Sequence, residues 1–320
     1  MSTISSSCSF IEHSNLENFL HSVTPIINGV LCAQDGVIQL QANGESKSAH
    51  IKLQDIWEIF DEWSACGVDV PVLLENGEKV TQFYIPYLSA IQIFTKKSAS
   101  SSSGDDNCYI ALKCGSSTDD DSNTNSKIVT SNGFNNENGL NNANGLNLGD
   151  HNHLYLKYFE TCSPYLRLPF MDKIVELGQS YGGLFTFNVN DISPASWMSI
   201  AWYPIYHIPA AVYSNNSLTT CFLTFHSLSS SFQDNSEEAG VEKDENEKVL
   251  DIVPFGLATY KMQPEVWINP HKNDSEKLKD LGSAASSWLK QLHVNHPDFN
   301  FFTRPIMTSG SANEENDCVY

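Results

Sequence analysis

Two histidines and a serine are the residues of this chain best suited to nucleophilic or acid–base chemistry. Ser199 and His207 lie in one apolar run and His226 lies in the next. A serine nucleophile needs a histidine base, an acid that orients the base, and donors for the oxyanion. Asp61 and Glu62, which are next to an indole side chain, are the candidate acids. The same pattern fits a hydrogen-bonded histidine in the core, and no G-x-S-x-G turn favours the catalytic interpretation.

The remaining histidines and cysteines do not form a recognisable metal motif. Structural zinc sites usually take their ligands from closely spaced pairs. The weak candidates here are His207 with His226 and Cys221, the pair His151 and His153, and the pair His293 and His296. None of these sets has paired ligand spacing, so we expect no metal and no other cofactor.

The only two arginines, Arg167 and Arg304, each stand among apolar residues. A guanidinium in such surroundings needs an acceptor, and a carboxylate can bind it through two parallel hydrogen bonds. Asp172, Glu160 or Asp191 could provide the partner and fix a loop. The functional alternative is a site for an anion or a peptide carboxylate.

Aromatic residues cluster at the end of the first apolar run, where Trp202, Tyr203 and Tyr206 follow one another closely. Alternation along a strand sends about half of such side chains to each face. Those that face solvent would be candidate anchors for a protein partner. Those that face inward would pack in the core.

A long hairpin and several amphipathic helices must position these residues. Residues 197–229 are typical of two buried strands around an Asn-Asn-Ser turn. A capping box formed by Ser14 and Glu17 predicts a first helix. Apolar spacing predicts further helices over 53–67, 169–181 and 274–294. Strands are predicted on both sides of Asn76-Gly77 and over 88–94, 154–159 (or a short helix), 184–187 and 252–262, and an extended segment over 295–306.

Strand and helix do not alternate along the whole chain, and no glycine-rich turn joins a strand to a helix. This order predicts an α+β fold, with a mostly antiparallel sheet and helices packed on one side. We expect one domain over residues 14–306, between a flexible leader (1–13) and a flexible acidic tail (307–320). The Ser/Asn-rich stretch 97–150 and the acidic stretch 232–249 have the composition of disordered insertions.

Charge and segment composition limit the partners and the compartment. The formal net charge is −20, and more than half of it lies in the two insertions and the tail. With no basic stripe, nucleic acids and anionic membranes are disfavoured as partners. There is no apolar run long enough to span a membrane and no secretory leader. Eight cysteines without a C-x-x-C pair are expected to be reduced thiols. We therefore expect a cytoplasmic or nuclear protein.

Three long motifs point to a family. They are Ile56-Trp57-Glu58-x-Phe60-Asp61-Glu62-Trp63-Ser64, Tyr84-Ile85-Pro86-Tyr87-Leu88-Ser89-Ala90-Ile91-Gln92 and Ser196-Trp197-Met198-Ser199-Ile200-Ala201-Trp202-Tyr203-Pro204-Ile205-Tyr206. The chain resembles the plant family that carries domain of unknown function 789, from Ser14 to Ile306 apart from the two insertions. The resemblance implies a plant protein, but it brings no activity, cofactor or catalytic residue.

The leading hypothesis is a non-catalytic module for protein interaction or regulation, because no motif supplies nucleophile, base and stabiliser together. It predicts an exposed apolar or aromatic patch and a protein partner. One alternative is a hydrolase or transferase that uses His226, His207, Ser199 and an acid. A second alternative is a carrier of a small molecule or lipid, which would need an apolar cavity between sheet and helices.

Overall fold

A six-stranded antiparallel sheet organises the chain. The computed structural model describes residues 13–29, 51–96, 152–205, 219–229 and 248–304. Nearly all of the expected leader, the first insertion and the acidic tail lie outside these residues. Of the expected second insertion, residues 248 and 249 are described, and they begin a strand.

The sheet runs in the order β2, β3, β5, β6, β8. These strands span Val68–Leu73, Lys79–Lys96, Trp197–Pro204, Cys221–Ser227 and Gly256–Tyr260. β4 (Asn152–Phe159) pairs with residues 90–96 of β3. It lies on the same side of β3 as β2, which pairs with residues 79–84. A separate ribbon pairs β1 (Ile26–Gly29) with β7 (Lys248–Asp251). Every pairing is antiparallel, which confirms the predicted α+β class.

Seven α-helices lie within the residues that the structure describes. They are α1 (Asn15–Ser22), α2 (Leu53–Cys66), α3 (Phe170–Ser180), α4 (Gly183–Thr186), α5 (Pro264–Trp267), α6 (Asp274–Gln291) and α7 (Pro297–Phe302). The predicted capping box is present, since the Ser14 side chain accepts from the Glu17 backbone N–H and the Glu17 carboxylate accepts from the Ser14 N–H. Gly67 follows α2 with a φ of 78°, a conformation that glycine adopts without strain.

The core has two parts, one on each face of the sheet. Successive residues of β5 alternate between them because strand side chains point to opposite sides. The first face carries Met198, Ile200 and Trp202, and α1 to α5 cover it. The second face carries Trp197, Ala201 and Tyr203, and α6 and α7 cover part of it. The larger group of helices thus lies on one side, as predicted, and the structure adds a smaller group on the other.

Three segments differ from their predicted conformations. The two strands predicted around Pro86 are one continuous β3, because β5 pairs along it and places Trp202 opposite Pro86. Residues 183–186 form a helical turn, not a strand, and the Leu184 carbonyl accepts from the Trp57 indole at 2.6 Å. The expected extended segment after residue 295 contains α7, which has Pro297 in its first turn and His296 as its N-cap.

Gly256 lets α6 approach β8 closely, and this close approach gives a testable prediction. A Cβ at Gly256 would lie 2.9 Å from the Cβ of Ala285 and 3.1 Å from its Cα. We therefore expect Gly256→Val to lower the free energy of unfolding by about 1–3 kcal/mol through overpacking, measured by urea denaturation. The control is Gly282→Ala, whose Cβ would lie 3.6 Å from the Leu257 carbonyl oxygen, an ordinary van der Waals contact. A Gly256→Val protein as stable as the wild type would contradict this account of the packing.

Candidate functional site

The strand register separates the two residues that a serine-based mechanism would need together. β5 and β6 pair Met198 with His226 and Ser199 with Phe225. His226 therefore shares the first face with Met198, whereas Ser199 points to the second face. Both side chains are fully buried. The sheet itself lies between this serine and this histidine.

His226 is a hydrogen-bonded core histidine. Its Nδ1 lies 2.9 Å from the carbonyl oxygen of Ile252, so Nδ1 carries the proton and donates it. Its Nε2 then accepts from the Thr224 hydroxyl at 2.8 Å. Thr224 in turn accepts from the Trp202 indole N–H at 2.9 Å. Burial lowers the pKa of His226 to about 4, so the ring is neutral at physiological pH.

Ser199 instead meets His296, which the sequence offered only as a weak metal ligand. The Ser199 Oγ and the His296 Nε2 are 2.8 Å apart. At the other ring nitrogen, Nδ1 accepts from the Phe299 backbone N–H at 3.1 Å and so caps α7. A neutral His296 must therefore carry its proton on Nε2 and donate it to Ser199. A catalytic base would have to accept from the serine, so this pair has the opposite polarity.

The predicted acids do not join either histidine. Asp61 and Glu62 are exposed on α2, a helix of the first face, while Ser199 and His296 lie on the second face. His207 and Tyr206 lie outside the described residues. Within the described ranges, no group of three or more His, Cys, Asp or Glu side chains is placed to hold a metal ion.

Arg167 forms the central ion pair of the second face. Its two terminal nitrogens donate to the two carboxylate oxygens of Asp298, each at 2.7 Å, and its Nε donates to the Cys162 carbonyl at 3.0 Å. The Ser89 hydroxyl also donates to Asp298. Only 4% of the Arg167 side chain and 8% of the Asp298 side chain are exposed. Burial opposes the charge, but the hydrogen bonds and charge of Asp298 outweigh it and raise the pKa of Arg167.

The expected partners of the arginines were wrong. Arg167 pairs with none of Asp172, Glu160 and Asp191, because α7 brings Asp298 to it from the far end of the chain. Glu160 instead accepts from the Tyr158 hydroxyl at 2.7 Å and from two backbone N–H groups. Arg304 is exposed at the end of the described chain. Arg167 does fix a loop, as predicted, but the carboxylate that it pairs with is Asp298.

The adjacent aromatics Trp202 and Tyr203 point to opposite faces. Trp202 is fully buried in the first core. Tyr203 lies beside Arg167, with the guanidinium carbon 5.9 Å from the ring centroid, and packs edge-on against Tyr87 at 5.7 Å. Burial raises the pKa of both tyrosine hydroxyls. Only Tyr203 of this pair reaches the surface region described next.

An open groove of about 300 Å³ lies above Arg167. We call it the tyrosine groove; its lining residues are Ile85, Tyr87, Pro164, Tyr165, Arg167, Tyr203, Pro204 and Ile205. One wall is the loop 162–169, here called the Arg167 loop, which contains a single 3₁₀ turn (Pro164–Leu166). This loop exposes three large apolar side chains, Tyr165 (58%), Leu166 (62%) and Leu168 (42%). The sequence signal was the run of apolar residues between two prolines that surrounds Arg167.

Fold and site together define an antiparallel α+β domain with buried, internally hydrogen-bonded histidines and an open aromatic groove. The chain belongs to the family described as "Protein of unknown function (DUF789)", whose model matches residues 14–302. No curated protein and no solved structure matches it. None of the helices in the described ranges is long and apolar enough to cross a membrane.

Proposed function

We propose that this protein is a non-catalytic interaction or regulatory module that docks a protein partner at the tyrosine groove and the Arg167 loop. The observation that carries the proposal is the exposure of Tyr165, Leu166 and Leu168 on one short loop. Large apolar side chains gathered on the surface of a soluble domain are typical of interaction sites. Aromatic residues and arginine are also the residue types most enriched at the centres of interfaces.

The anchoring of the loop supports the same proposal. Arg167 ties the loop to α7 through Asp298 and closes it internally through the Cys162 carbonyl. A surface that is already ordered loses less conformational entropy when a partner binds. The exposed apolar side chains are therefore presented in a fixed arrangement before any partner arrives.

The contacts of Ser199 and the histidines favour this proposal over a hydrolase or transferase. Ser199 accepts a hydrogen bond from His296, where a nucleophile would donate one to its base, and both side chains are buried. A carrier would need an enclosed apolar cavity, whereas the tyrosine groove opens to solvent.

For the compartment, we propose the cytosol or nucleus of a plant cell. The three cysteines among the described residues, Cys66, Cys162 and Cys221, form no disulfide, which suits a reducing compartment.

Leu166→Asp provides the test of this docking surface. Affinity purification of the tagged full chain, followed by quantitative mass spectrometry, should recover at least one partner whose yield falls about tenfold with Leu166→Asp, a loss of about 1.4 kcal/mol. The matched control is Val253→Asp, because Val253 and Leu166 are both 62% exposed and Val253 lies outside the groove. Partners retained equally by both variants would reject this surface. Deleting residues 97–150 in parallel shows whether that segment recruits partners itself.

A further inference from the structure

The chain contains three dipeptides in which proline follows serine or threonine: Thr24-Pro25, Ser163-Pro164 and Ser193-Pro194. All three lie within the described residues. Such a dipeptide is the minimal element that proline-directed protein kinases recognise. Proline has no backbone N–H and keeps the residue before it extended, which suits a kinase cleft that binds its substrate as an extended segment. The three hydroxyls can therefore be compared as candidate substrates within one fold.

Two of the three hydroxyls are held inside the fold. Ser193 is only 1% exposed, and its Oγ accepts from the Ala195 backbone N–H at 3.2 Å. Thr24 is half-buried, and its Oγ1 donates to the Leu20 carbonyl at 2.7 Å. A kinase must place the hydroxyl in line with the γ-phosphoryl group of ATP and accept its proton. Neither of these hydroxyls can be placed in that way without local unfolding.

Ser163 differs from both. The residue is exposed, and its hydroxyl makes no hydrogen bond with any residue that the structure describes. Its backbone is extended, with φ −62° and ψ 155°, which is the conformation that a following proline favours. Arg167 holds this loop through the carbonyl of the preceding residue, Cys162, and not through Ser163. The Ser163 hydroxyl is thus presented to solvent in the backbone conformation that a kinase binds.

A phosphate on Ser163 would lie beside the exposed apolar side chains of the Arg167 loop, Leu166 and Leu168. The Leu166 N–H donates to the Ser163 carbonyl at 3.0 Å, so these two residues close a single turn. A phosphate carries about −1.5 to −2 charges at pH 7 and strongly opposes burial in an apolar interface. Arg167 is already paired with Asp298, so it cannot neutralise the phosphate without breaking that ion pair.

We propose that Ser163 is a phosphorylation site for a proline-directed serine/threonine kinase, and that its phosphate prevents an apolar partner from binding the Arg167 loop. The second part rests on the docking function proposed above, and the first part does not. In the transfer, the Ser163 oxygen bonds to the γ-phosphorus of ATP while the bond from that phosphorus to the bridging oxygen breaks. ADP leaves, and the serine proton passes to the kinase.

The first test treats the purified full chain with ATP and a cyclin-dependent or a mitogen-activated protein kinase, and mass spectrometry locates the phosphate. Synthetic peptides that span the three dipeptides give the rate of each without the fold. Relative to its peptide, Ser163 should react at least about tenfold faster in the full chain than Ser193 or Thr24, which require local unfolding. Ser163→Ala should remove the principal phosphorylation site. A Ser163 ratio no higher than that of Ser193, or a Ser163 peptide that neither kinase accepts, overturns the site.

Partner capture tests the consequence of the phosphate. The chain phosphorylated at Ser163 should retain its Leu166-dependent partner about tenfold less well than the unmodified chain, and phosphatase treatment should restore capture. If the phosphate leaves capture unchanged while Leu166→Asp reduces it, the regulatory part is overturned and the docking function survives. If neither change affects capture, the docking function fails and the phosphorylation site stands. A phosphorylated chain with a lower thermal unfolding midpoint would show that the phosphate acts on the fold, which also overturns the regulatory part.

Discussion

Between pH 7 and pH 4 the full chain is expected to lose several kcal/mol of unfolding free energy, because two buried histidines must gain protons. The pKa of both His226 and His296 is about 4 in the folded protein, and burial is the main cause. In the unfolded chain each would titrate near 6.5. The unfolded state therefore binds more protons in this interval, so stability that is present above pH 6.5 falls as the pH drops towards 4. Each histidine contributes about 3 kcal/mol to that loss.

The structural consequence of protonation differs at the two histidines. Protonation of His226 at Nε2 removes the acceptor for the Thr224 hydroxyl. Protonation of His296 at Nδ1 removes the acceptor for the Phe299 N–H and so the cap of α7. Each protonation puts a positive charge in a desolvated position, and this cost disfavours protonation in the folded state.

Urea denaturation over a pH series measures this loss, and nuclear magnetic resonance titration of the imidazole signals assigns it. His226→Gln should remove about half of the slope of stability against pH in this interval, whatever its effect on stability at neutral pH. His271→Gln, at an exposed position, should leave the slope unchanged. A wild-type slope in the His226→Gln protein would show that His226 is not the titrating group.

The second large effect is expected from Asp298→Ala, which should lower the unfolding free energy by about 3–5 kcal/mol. The substitution leaves the Arg167 guanidinium buried with an unmatched charge, and it removes the acceptor of the Ser89 hydroxyl. Since Asp298 also fixes the Arg167 loop, capture of any partner that depends on Leu166 should decline in parallel. Urea denaturation at neutral pH measures the change in the free energy of unfolding.

A double replacement separates the cost of an unpaired charge from the net value of the pair. Arg167→Met with Asp298→Leu should recover most of the stability that Asp298→Ala loses, because neither buried charge remains. Asp280→Ala, which removes an exposed carboxylate, is the control and should change stability by less than about 0.5 kcal/mol. If Asp298→Ala were as mild as Asp280→Ala, the buried ion pair could not be what holds the loop.

The sequence was most informative where local physics decides conformation. Ser14 and Glu17 fix the start of α1 through their own side chains, and Asn76-Gly77 sits between β2 and β3 as expected. α7 was not predicted, because it is short and is capped by His296, an unusual N-cap residue. A helix of six residues is marginal on its own, and α7 packs against β6 and β8.

Two features of the candidate site could not be predicted from composition and residue spacing. One is strand register: pairing Met198 with His226 sends Ser199 to the opposite face, and a shift of one residue would have reversed this. The other is long-range pairing. Asp298 is 131 positions from Arg167 in the chain, so no local pattern connects them. The sequence predicts that Arg167 pairs with a carboxylate, but it does not identify which carboxylate.

The pairing of β3 with β4 also has a practical use. Lys96 and Asn152, which flank residues 97–151, are cross-strand partners at the ends of β3 and β4. A connection of almost any length satisfies that geometry, since the entropy of closing a loop grows only slowly with its length. Residues 97–151 are accordingly the place to insert a fluorescent reporter or to open new termini by circular permutation.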